Sequence, residues 1–196
     1  MSEKIAVHWF RQDLRIKDNP SLEAASKFNS FIPIYILDDT NSGEFKMGSA
    51  SRWWLYNSLN KLNESLGGSL RLFKGDPCEI LPKLIEDYSV SNVFWNRCYE
   101  PWRIDRDKKI KNELETKNII VESFCGSLLW EPWNISKDDG TPYRVFTPYY
   151  KKGCLNACEP RLPISEPSLE NISKKDNVSD NLESLDLLPK SNWYAG

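Results

Sequence analysis

The sequence predicts an α/β fold: a five-stranded, mainly parallel sheet with helices on both faces, followed by an irregular linker. Two observations predict it. Five short apolar runs alternate with four helical patterns, and this alternation stops after Phe124. Strands joined by helical crossovers lie parallel, and right-handed crossovers cover the sheet with helices. With 196 residues, the chain is long enough for one well-packed core and an appended segment.

The predicted strands are short, mainly apolar runs. They cover Ile5–Phe10, Phe31–Leu37, Ser69–Phe73, Asn92–Trp95 and Ile119–Phe124. In such a Rossmann-like sheet, ligands bind beyond the carboxyl ends of the strands, near the point where the strand order reverses. The loops after the first, second and fourth strands are therefore the expected ligand edge. They are rich in charged or aromatic residues and cover 11–18, 38–51 and 96–103.

Capping signals and apolar periodicity define the four helices. Asn19 and Pro20 are expected at the N-cap and first position of the first helix, and Asp76 before Pro77 repeats this start in the third. The second helix has four leucines on one face and ends at two glycines suited to a left-handed C-cap: Leu55, Leu59, Leu62, Leu66, Gly67 and Gly68. The fourth is expected from near residue 103 through residue 115.

Composition excludes several classes of function. The chain has 26 basic and 28 acidic residues, a net charge of −2, which is unlike the basic excess of nucleic-acid-binding domains. No apolar run is long enough to span a bilayer, and the first residues lack the apolar core of a secretory signal, so a cytoplasmic location is expected. The five cysteines form no C-x-x-C pair and are expected to be reduced thiols, with no metal site.

The common nucleotide and hydrolase motifs are missing. No G-x-G-x-x-G or G-x-x-x-x-G-K-[ST] loop follows the first strand, so a diphosphate cradle is not expected there. The only histidine, His8, lies inside a predicted strand, which argues against a Ser-His-Asp or Cys-His arrangement. We interpret His8 as a strand residue with a satisfied ring.

Four blocks carry a resemblance to a known family: WFRQDLRIKDNPSL, GSASRWWLYNSLNKL, VFWNRCYEPWRIDRD and PYRVFTPYYK. In this order and spacing they resemble the photolyase–cryptochrome family, and more narrowly the amino-terminal α/β domain of a class I DNA photolyase. The resemblance covers essentially the whole chain. It implies an α/β antenna domain at 1–130 and an interdomain linker at 131–196.

The resemblance implies a deoxyribodipyrimidine photolyase, a carbon–carbon lyase that uses light to repair cyclobutane pyrimidine dimers in DNA. FAD is then expected in a helical carboxyl-terminal domain absent from this chain, so the chain alone is expected to be inactive and to contain no catalytic residue. An antenna chromophore, 5,10-methenyltetrahydrofolate or 8-hydroxy-5-deazaflavin, is expected in or beside the α/β domain. The expected partners are the helical domain and, through the full-length enzyme, UV-damaged DNA.

Two alternatives remain open. One is a cryptochrome, a blue-light signalling protein of the same fold without repair activity. The other is a free-standing ligand-binding α/β domain without photochemistry. The sequence does not separate the cryptochrome from the photolyase.

In the loop after the first strand, Phe10 and Arg11 are candidates for contact with the pigment, by stacking or hydrogen bonding. The alternative is a structural corner, in which an arginine of this loop pairs with an aspartate and Asn19 caps the next helix. In that case the charges hold the loop and do not bind a ligand.

In the loop after the second strand, Leu37, Met47 and Arg52 match positions that line the deazaflavin pocket of relatives. A cation at the start of a helix is disfavoured by the helix dipole. A carbonyl or carboxylate partner on a ligand would explain Arg52.

In the loop after the fourth strand, Glu100 matches the glutamate that hydrogen-bonds the pterin in folate-binding relatives, and Asn96 is a second candidate contact. The alternatives are that Glu100 pairs with Arg103 or Arg106 and shapes the loop, and that Asn96 ties the loop backbone. Arg106 and the following aspartate are interpreted as a salt bridge on the helix surface. The many tryptophans are interpreted as core, walls of the antenna site, or a face that docks the helical domain.

Overall fold

The computed structural model describes residues 4–174, 179–191 and 193–194. Its centre is a five-stranded sheet in the order β3-β2-β1-β4-β5, in which all four strand pairs are parallel. The strands are β1 (Ile5–Phe10), β2 (Ser30–Leu37), β3 (Arg71–Lys74), β4 (Val90–Asn96) and β5 (Ile120–Phe124). The order reverses between β1 and β4, as in a doubly wound sheet. The predicted fold class is confirmed.

The helices are α1 (Pro20–Ser26), α2 (Ser49–Ser65), α3 (Pro77–Tyr88), α4 (Pro101–Thr116) and a short α5 (Phe146–Pro148), followed by a π-helical turn at Tyr149–Gly153. Asn19 and Asp76 cap α1 and α3 by accepting from the backbone N–H groups of Leu22 and Cys78. Helix α4 begins earlier than predicted, because proline is favoured at the first helical position. Strand β3 begins later, at Arg71.

The late start of β3 has a local cause. After α2, Gly67 and Gly68 have φ values of +60° and +78°, the left-handed conformation expected of a glycine C-cap. The N–H of Ser69 then bonds to the carbonyl of Leu66, and the N–H of Leu70 bonds to the side chain of Asn63. These two residues therefore belong to the helix end and not to the strand.

Two apolar layers cover the sheet. On one face, α1 and α2 pack on a cluster that includes Phe10, Leu22 and Leu59; on the other, α3 and α4 pack on a cluster that includes Trp9 and Ile110. Successive side chains of a strand point to opposite faces, so Trp9 and Phe10 belong to different layers. No helix in the described ranges is long and apolar enough to cross a membrane.

In the described part of the segment after β5 the helical elements are short turns, and some of its residues are attached to the sheet. Ile172 forms a parallel bridge with Phe31, and Asp180 an antiparallel bridge with Leu72. Leu187 joins the apolar layer of α2. Residues 175–178, 192 and 195–196 of the predicted linker lie outside the described residues. The domain boundary between residues 130 and 131 stays a prediction.

Candidate functional site

A cleft of about 920 Å³ opens at the carboxyl edge of the sheet. It is bounded by the β1–α1 loop, the end of β2 with the start of α2, and the first turns of α4. The lining residues used below are Trp9, Arg11, Gln12, Arg15, Leu37, Asp38, Met47, Trp54, Ser58, Trp102, Arg103 and Arg106. The cleft therefore lies where the strand order predicts a ligand site.

Two buried arginines and two aspartates form the charged floor of the cleft. Arg11 Nη2 lies 2.5 Å from Asp107 Oδ2, and Arg106 lies 2.8 Å from Asp38 and 2.9 Å from Asp107. Burial lowers the pKa of Arg11, but the neighbouring Asp107 carboxylate outweighs this effect, so the net pKa is raised and the guanidinium stays charged. Each of these charges has an opposite partner, which keeps the floor close to neutral.

Tryptophan rings alternate with the guanidinium groups. The guanidinium carbon of Arg11 lies 4.5 Å from the centre of the Trp9 ring, and that of Arg106 lies 5.0 Å from it. Arg103 and Arg106 approach the Trp102 ring at 4.9 and 5.2 Å. These cation–π contacts hold the arginines in place and give the cleft flat, polarisable walls.

Three buried polar atoms at this edge have no hydrogen-bond partner among the described residues: Arg11 Nη1, Arg103 Nε and Glu100 Oε2. The last two lie 3.8 Å apart, which is close enough for charge attraction but too far for a hydrogen bond. Buried polar atoms are usually satisfied, because an unpaired one costs free energy. Two donors and one acceptor are thus available to a ligand with complementary groups.

Three of the predicted site residues line the cleft: Arg11, Leu37 and Met47. Arg52 lies beside it, and its side chain is bound within the chain: Nη2 lies 2.6 Å from Asp39 Oδ2, and Nε donates to the carbonyl of Met47 at 3.1 Å. Arg52 thus has a carboxylate partner within the chain, in the preceding loop, and its place at the start of α2 needs no ligand to explain it.

Glu100 lies directly before α4 and does not line the cleft, but it is hydrogen-bonded to Gln12, which does. Its Oε1 accepts a hydrogen bond of 2.7 Å from Gln12 Nε2, which links the loops after β1 and β4. Burial raises the pKa of Glu100, but a backbone hydrogen bond, Arg103 and Gln12 together lower it by more. The net pKa therefore lies below its usual range, and the carboxylate is charged. The expected alternative pairing with Arg103 is present, while Oε2 keeps a free lone pair.

Phe10 and Asn96 are not brought to the cleft. Phe10 is fully buried in the α1–α2 layer, because it points to the face opposite Trp9. The amide of Asn96 donates to Asp13 and to Asn19 at 2.5 and 2.8 Å, and its oxygen accepts from the N–H of Ser21. Both residues support the loop from behind, and the geometry favours the structural role for Asn96.

The corner after β1 is also held by charge and by the linker. Asp18 has a left-handed backbone, with φ at +50°, and its carboxylate accepts from Arg161 and from the N–H of Ile164. These hydrogen bonds hold the pKa of Asp18 below its usual range, the bond from Arg161 contributing most. Arg15 donates to the carbonyls of Asp18 and Gly126. The predicted charged corner is present, with Arg161 as an additional partner.

Sequence analysis missed several residues of the cleft. Arg106 and Asp107 are interpreted from the sequence as a surface pair, but Arg106 is buried and Asp107 half-buried, because Asp38 reaches Arg106 from the end of β2. Trp54 and Trp102 belong to the tryptophans interpreted as core, walls of the antenna site or a docking face, and both line the cleft. One signal was available: Trp102 and Arg106 are four residues apart, so they lie on one face of α4.

Comparison with known proteins identifies the family. The family model for DNA photolyase matches residues 6–168. The chain is 38% identical over 200 residues to the deoxyribodipyrimidine photo-lyase of Agrobacterium fabrum, covering 98% of this chain and 41% of the relative. It is 39% identical over 158 residues to cryptochrome-2 of Arabidopsis thaliana, covering 79% of this chain and 26% of that protein.

The fold is shared with solved photolyases. A bacterial class III photolyase from Agrobacterium tumefaciens superposes with a TM-score of 0.84 at 36% identity, over 97% of this chain and 39% of that one. The chain thus spans about two-fifths of the length of these photolyases. The class I assignment stays a prediction, since this solved relative is a class III enzyme. With the family model matching most of its length, the chain belongs to the DNA photolyase family.

Proposed function

We propose that this chain is the light-harvesting part of a deoxyribodipyrimidine photolyase, which in full-length form uses light to split cyclobutane pyrimidine dimers in DNA. The identity of 38% to a photolyase over nearly the whole chain supports the activity. The observation that carries the light-harvesting role is the cleft at the carboxyl edge of the sheet, with its tryptophan walls and the unsatisfied donors of two lining residues, Arg11 and Arg103.

The cleft suits a flat, conjugated pigment with hydrogen-bonding edges. Trp54 and Trp102 offer ring faces for stacking, Arg11 and Arg103 offer donors, and Glu100 offers an acceptor for an aminopyrimidine edge. Both 5,10-methenyltetrahydrofolate and 8-hydroxy-5-deazaflavin are flat rings with hydrogen-bonding edges, and the folate has the aminopyrimidine edge. The pigment would supply absorption of blue or near-ultraviolet light and transfer of the excitation energy to FAD.

Energy transfer depends on a fixed orientation of the pigment and does not involve a proton-transfer step. The task of the protein residues is therefore to hold the ring, exclude water and limit rotation. The Arg11–Asp107–Arg106–Asp38 floor is suited to this, because its ion pairs and cation–π contacts fix one arrangement of side chains. Leu37 and Met47 would pack on the ring, while Arg52, Phe10 and Asn96 would hold the surrounding loops.

We place FAD and the chemistry in a helical domain outside this chain, in agreement with the greater length of the relatives. An exposed aromatic surface on the segment after β5 is the proposed contact with that domain. Phe146 and Tyr150 are stacked there with ring centres 5.8 Å apart, and Trp133 is 62% exposed. UV-damaged DNA as a partner and a cytoplasmic location belong to the same proposal.

Reconstitution with pigment tests the light-harvesting role. The chain is mixed with methenyltetrahydrofolate or with 8-hydroxy-5-deazaflavin, and the absorption and fluorescence of bound pigment are recorded after gel filtration. We expect a bound pigment with a shifted spectrum, and Glu100→Gln to weaken folate by about tenfold, because a charged acceptor is lost. Glu79→Gln on α3 is the matched control and should have no effect. Unchanged spectra with both pigments would rule out this role.

A cryptochrome is the second candidate, favoured by the 39% identity to cryptochrome-2 of Arabidopsis thaliana. The two are separated by assaying the full-length protein for light-dependent dimer splitting. A full-length protein that binds FAD but leaves dimers intact would support the cryptochrome. A gene whose product contains no flavin-binding domain would support the third alternative, a free-standing ligand-binding domain.

A further inference from the structure

A second concavity of about 490 Å³ lies between the β1–α1 loop and α2, and we refer to it as the loop–helix groove. The residues that matter here are Arg15, Lys17, Trp54, Asn57, Ser58 and Lys61. Arg15, Trp54 and Ser58 also line the cleft, as does Leu14. The cleft and the groove are therefore adjoining parts of one depression, which extends along α2 away from the sheet.

The groove differs from the cleft in charge. Its lining has three cationic side chains, Arg15, Lys17 and Lys61, and no acidic one. Lys17 forms no ion pair within the described part of the chain, whereas Lys61 pairs with Glu64 at 2.7 Å in an exposed position. Arg15 donates to two backbone carbonyls and lies 4.0 Å from the Asp18 carboxylate. Among these three cations only Lys17 thus lacks an acidic partner in the described part of the chain, while the partner of Lys61 is exposed and that of Arg15 is 4.0 Å away.

Trp54 lies at the junction of the two parts and is 70% exposed, an unusual degree for so large an apolar side chain. One indole thus borders both the aromatic cleft and the cationic groove. Next to it, the Ser58 hydroxyl and the Asn57 amide add polar groups along the exposed side of α2. A ring in the cleft with a flexible chain passing Trp54 would contact both environments.

We propose that the loop–helix groove binds an anionic extension, carried by carboxylate or phosphate groups, of the ligand whose ring occupies the cleft. This rests on the proposed light-harvesting function and specifies the chemical class of its pigment. Lys17 and Lys61 attract the extension, and Trp54 directs it out of the cleft. Because the groove is open to solvent, the gain is that of exposed ion pairs and is screened by salt.

The test compares ligands that share a ring and differ only in anionic groups. Methenyltetrahydrofolate monoglutamate is compared with its triglutamate, and 8-hydroxy-5-deazariboflavin with its 5′-phosphate. Affinities are measured by fluorescence titration at low and high salt. At low salt we expect the more anionic member of the bound pair to bind about three- to tenfold more tightly, the effect of one or two exposed ion pairs. At high salt this ratio should approach one.

Two double variants test whether the affinity advantage of the more anionic ligand comes from the lysines of the groove. Lys17→Gln with Lys61→Gln should remove the advantage of the more anionic ligand. The affinity of 8-hydroxy-5-deazariboflavin, whose extension has no anionic group, should stay unchanged, whereas that of the monoglutamate, which has two carboxylates, should fall less than that of the triglutamate. Lys83→Gln with Lys109→Gln is the matched control: it removes the same charge from exposed positions on α3 and α4, on the opposite face of the sheet.

Each other outcome counts against the inference. Equal affinity for both members of a pair would overturn it and leave the light-harvesting role standing. Equal loss in both double variants would show a general charge effect and would also overturn it. Failure of every ring to bind would overturn the proposed function, and this inference with it.

Discussion

At the scale of single residues, His8 shows how burial in a strand changes the pKa of a titratable side chain. Its side chain is fully buried in β1, with Nε2 2.8 Å from the Ser21 hydroxyl and no partner for Nδ1 among the described residues. Burial lowers its pKa from 6.5 to about 4, although Asp13 and Asn19 act in the opposite direction. His8 therefore remains neutral near pH 7, in agreement with its interpretation as a strand residue.

The lowered pKa of His8 predicts a pH dependence of stability. Between about pH 6.5 and about pH 4 the unfolded chain binds a proton that the folded chain does not, so acidification lowers the free energy of unfolding. A shift of this size corresponds to about 3 kcal/mol. The variant His8→Gln lacks this pH-dependent contribution to the free energy of unfolding. The difference in free energy of unfolding between the native chain and the variant should therefore shrink as the pH falls. Urea unfolding across this range measures it, and parallel profiles for the two proteins would contradict the prediction.

At the scale of elements, the segment around residue 171 shows that the predicted linker is part of the fold. The N–H of Phe31 donates to the carbonyl of Asn171, and the N–H of Ser173 donates to the carbonyl of Phe31. The Asn171 side chain donates to the carbonyls of Ser26 and Phe28 at the end of α1. The segment thus satisfies backbone groups at the α1–β2 connection, which has few other partners.

Asn171→Ala should loosen this attachment. Losing two hydrogen bonds to the connection is expected to lower the free energy of unfolding by about 1–2 kcal/mol and to speed amide exchange at residues 171–173. Asn156→Ala is the control, because that exposed side chain donates only to the carbonyl of Lys152. Hydrogen exchange and urea unfolding measure the two effects. Identical exchange in both variants would mean that the backbone bridge alone holds the segment.

At the scale of the whole molecule, the chain is a sheet with a ligand cleft at one edge and an exposed aromatic surface on the segment after β5. Phe146 is 73% exposed and Tyr150 45%, although they stack on each other. An exposed apolar patch of this kind is typical of a docking surface. The chain has about two-fifths of the length of its photolyase relatives.

This division of the molecule predicts that the chain alone does not repair DNA. Under blue light it should leave the cyclobutane dimers of an irradiated oligothymidylate intact, with or without added pigment, because the proposed electron donor belongs to the other domain. Chromatography of the nucleotide before and after illumination measures this, with the full-length photolyase of Agrobacterium fabrum as the positive control. Dimer splitting by the purified chain would contradict this prediction and would show that the catalytic groups lie within this chain.

The sequence by itself determined the five strands, the helix caps and the parallel order of elements, and through them the edge of the sheet where the cleft lies. These features depend on local periodicity and on capping residues such as Asn19 and Asp76, which act over a few positions. Arg11 was named because it follows a buried strand, and Leu37 and Met47 because they match positions in the pocket of the family that the chain resembles. The four blocks identified the family for the same reason, since they are continuous in sequence.

Only the tertiary structure decided which charges meet. Asp38 and Arg106 are 68 positions apart, and nothing in the pattern around either residue encodes their contact. The same holds for Arg161, which reaches Asp18 from the linker. Phe10 and Trp9 are neighbours in sequence, yet the pleat sends one into the core and the other to the cleft. Which charged side chains form ion pairs, which side chains line the cleft, and whether the cleft and the groove adjoin all depend on packing between distant segments. A local sequence pattern does not contain this information.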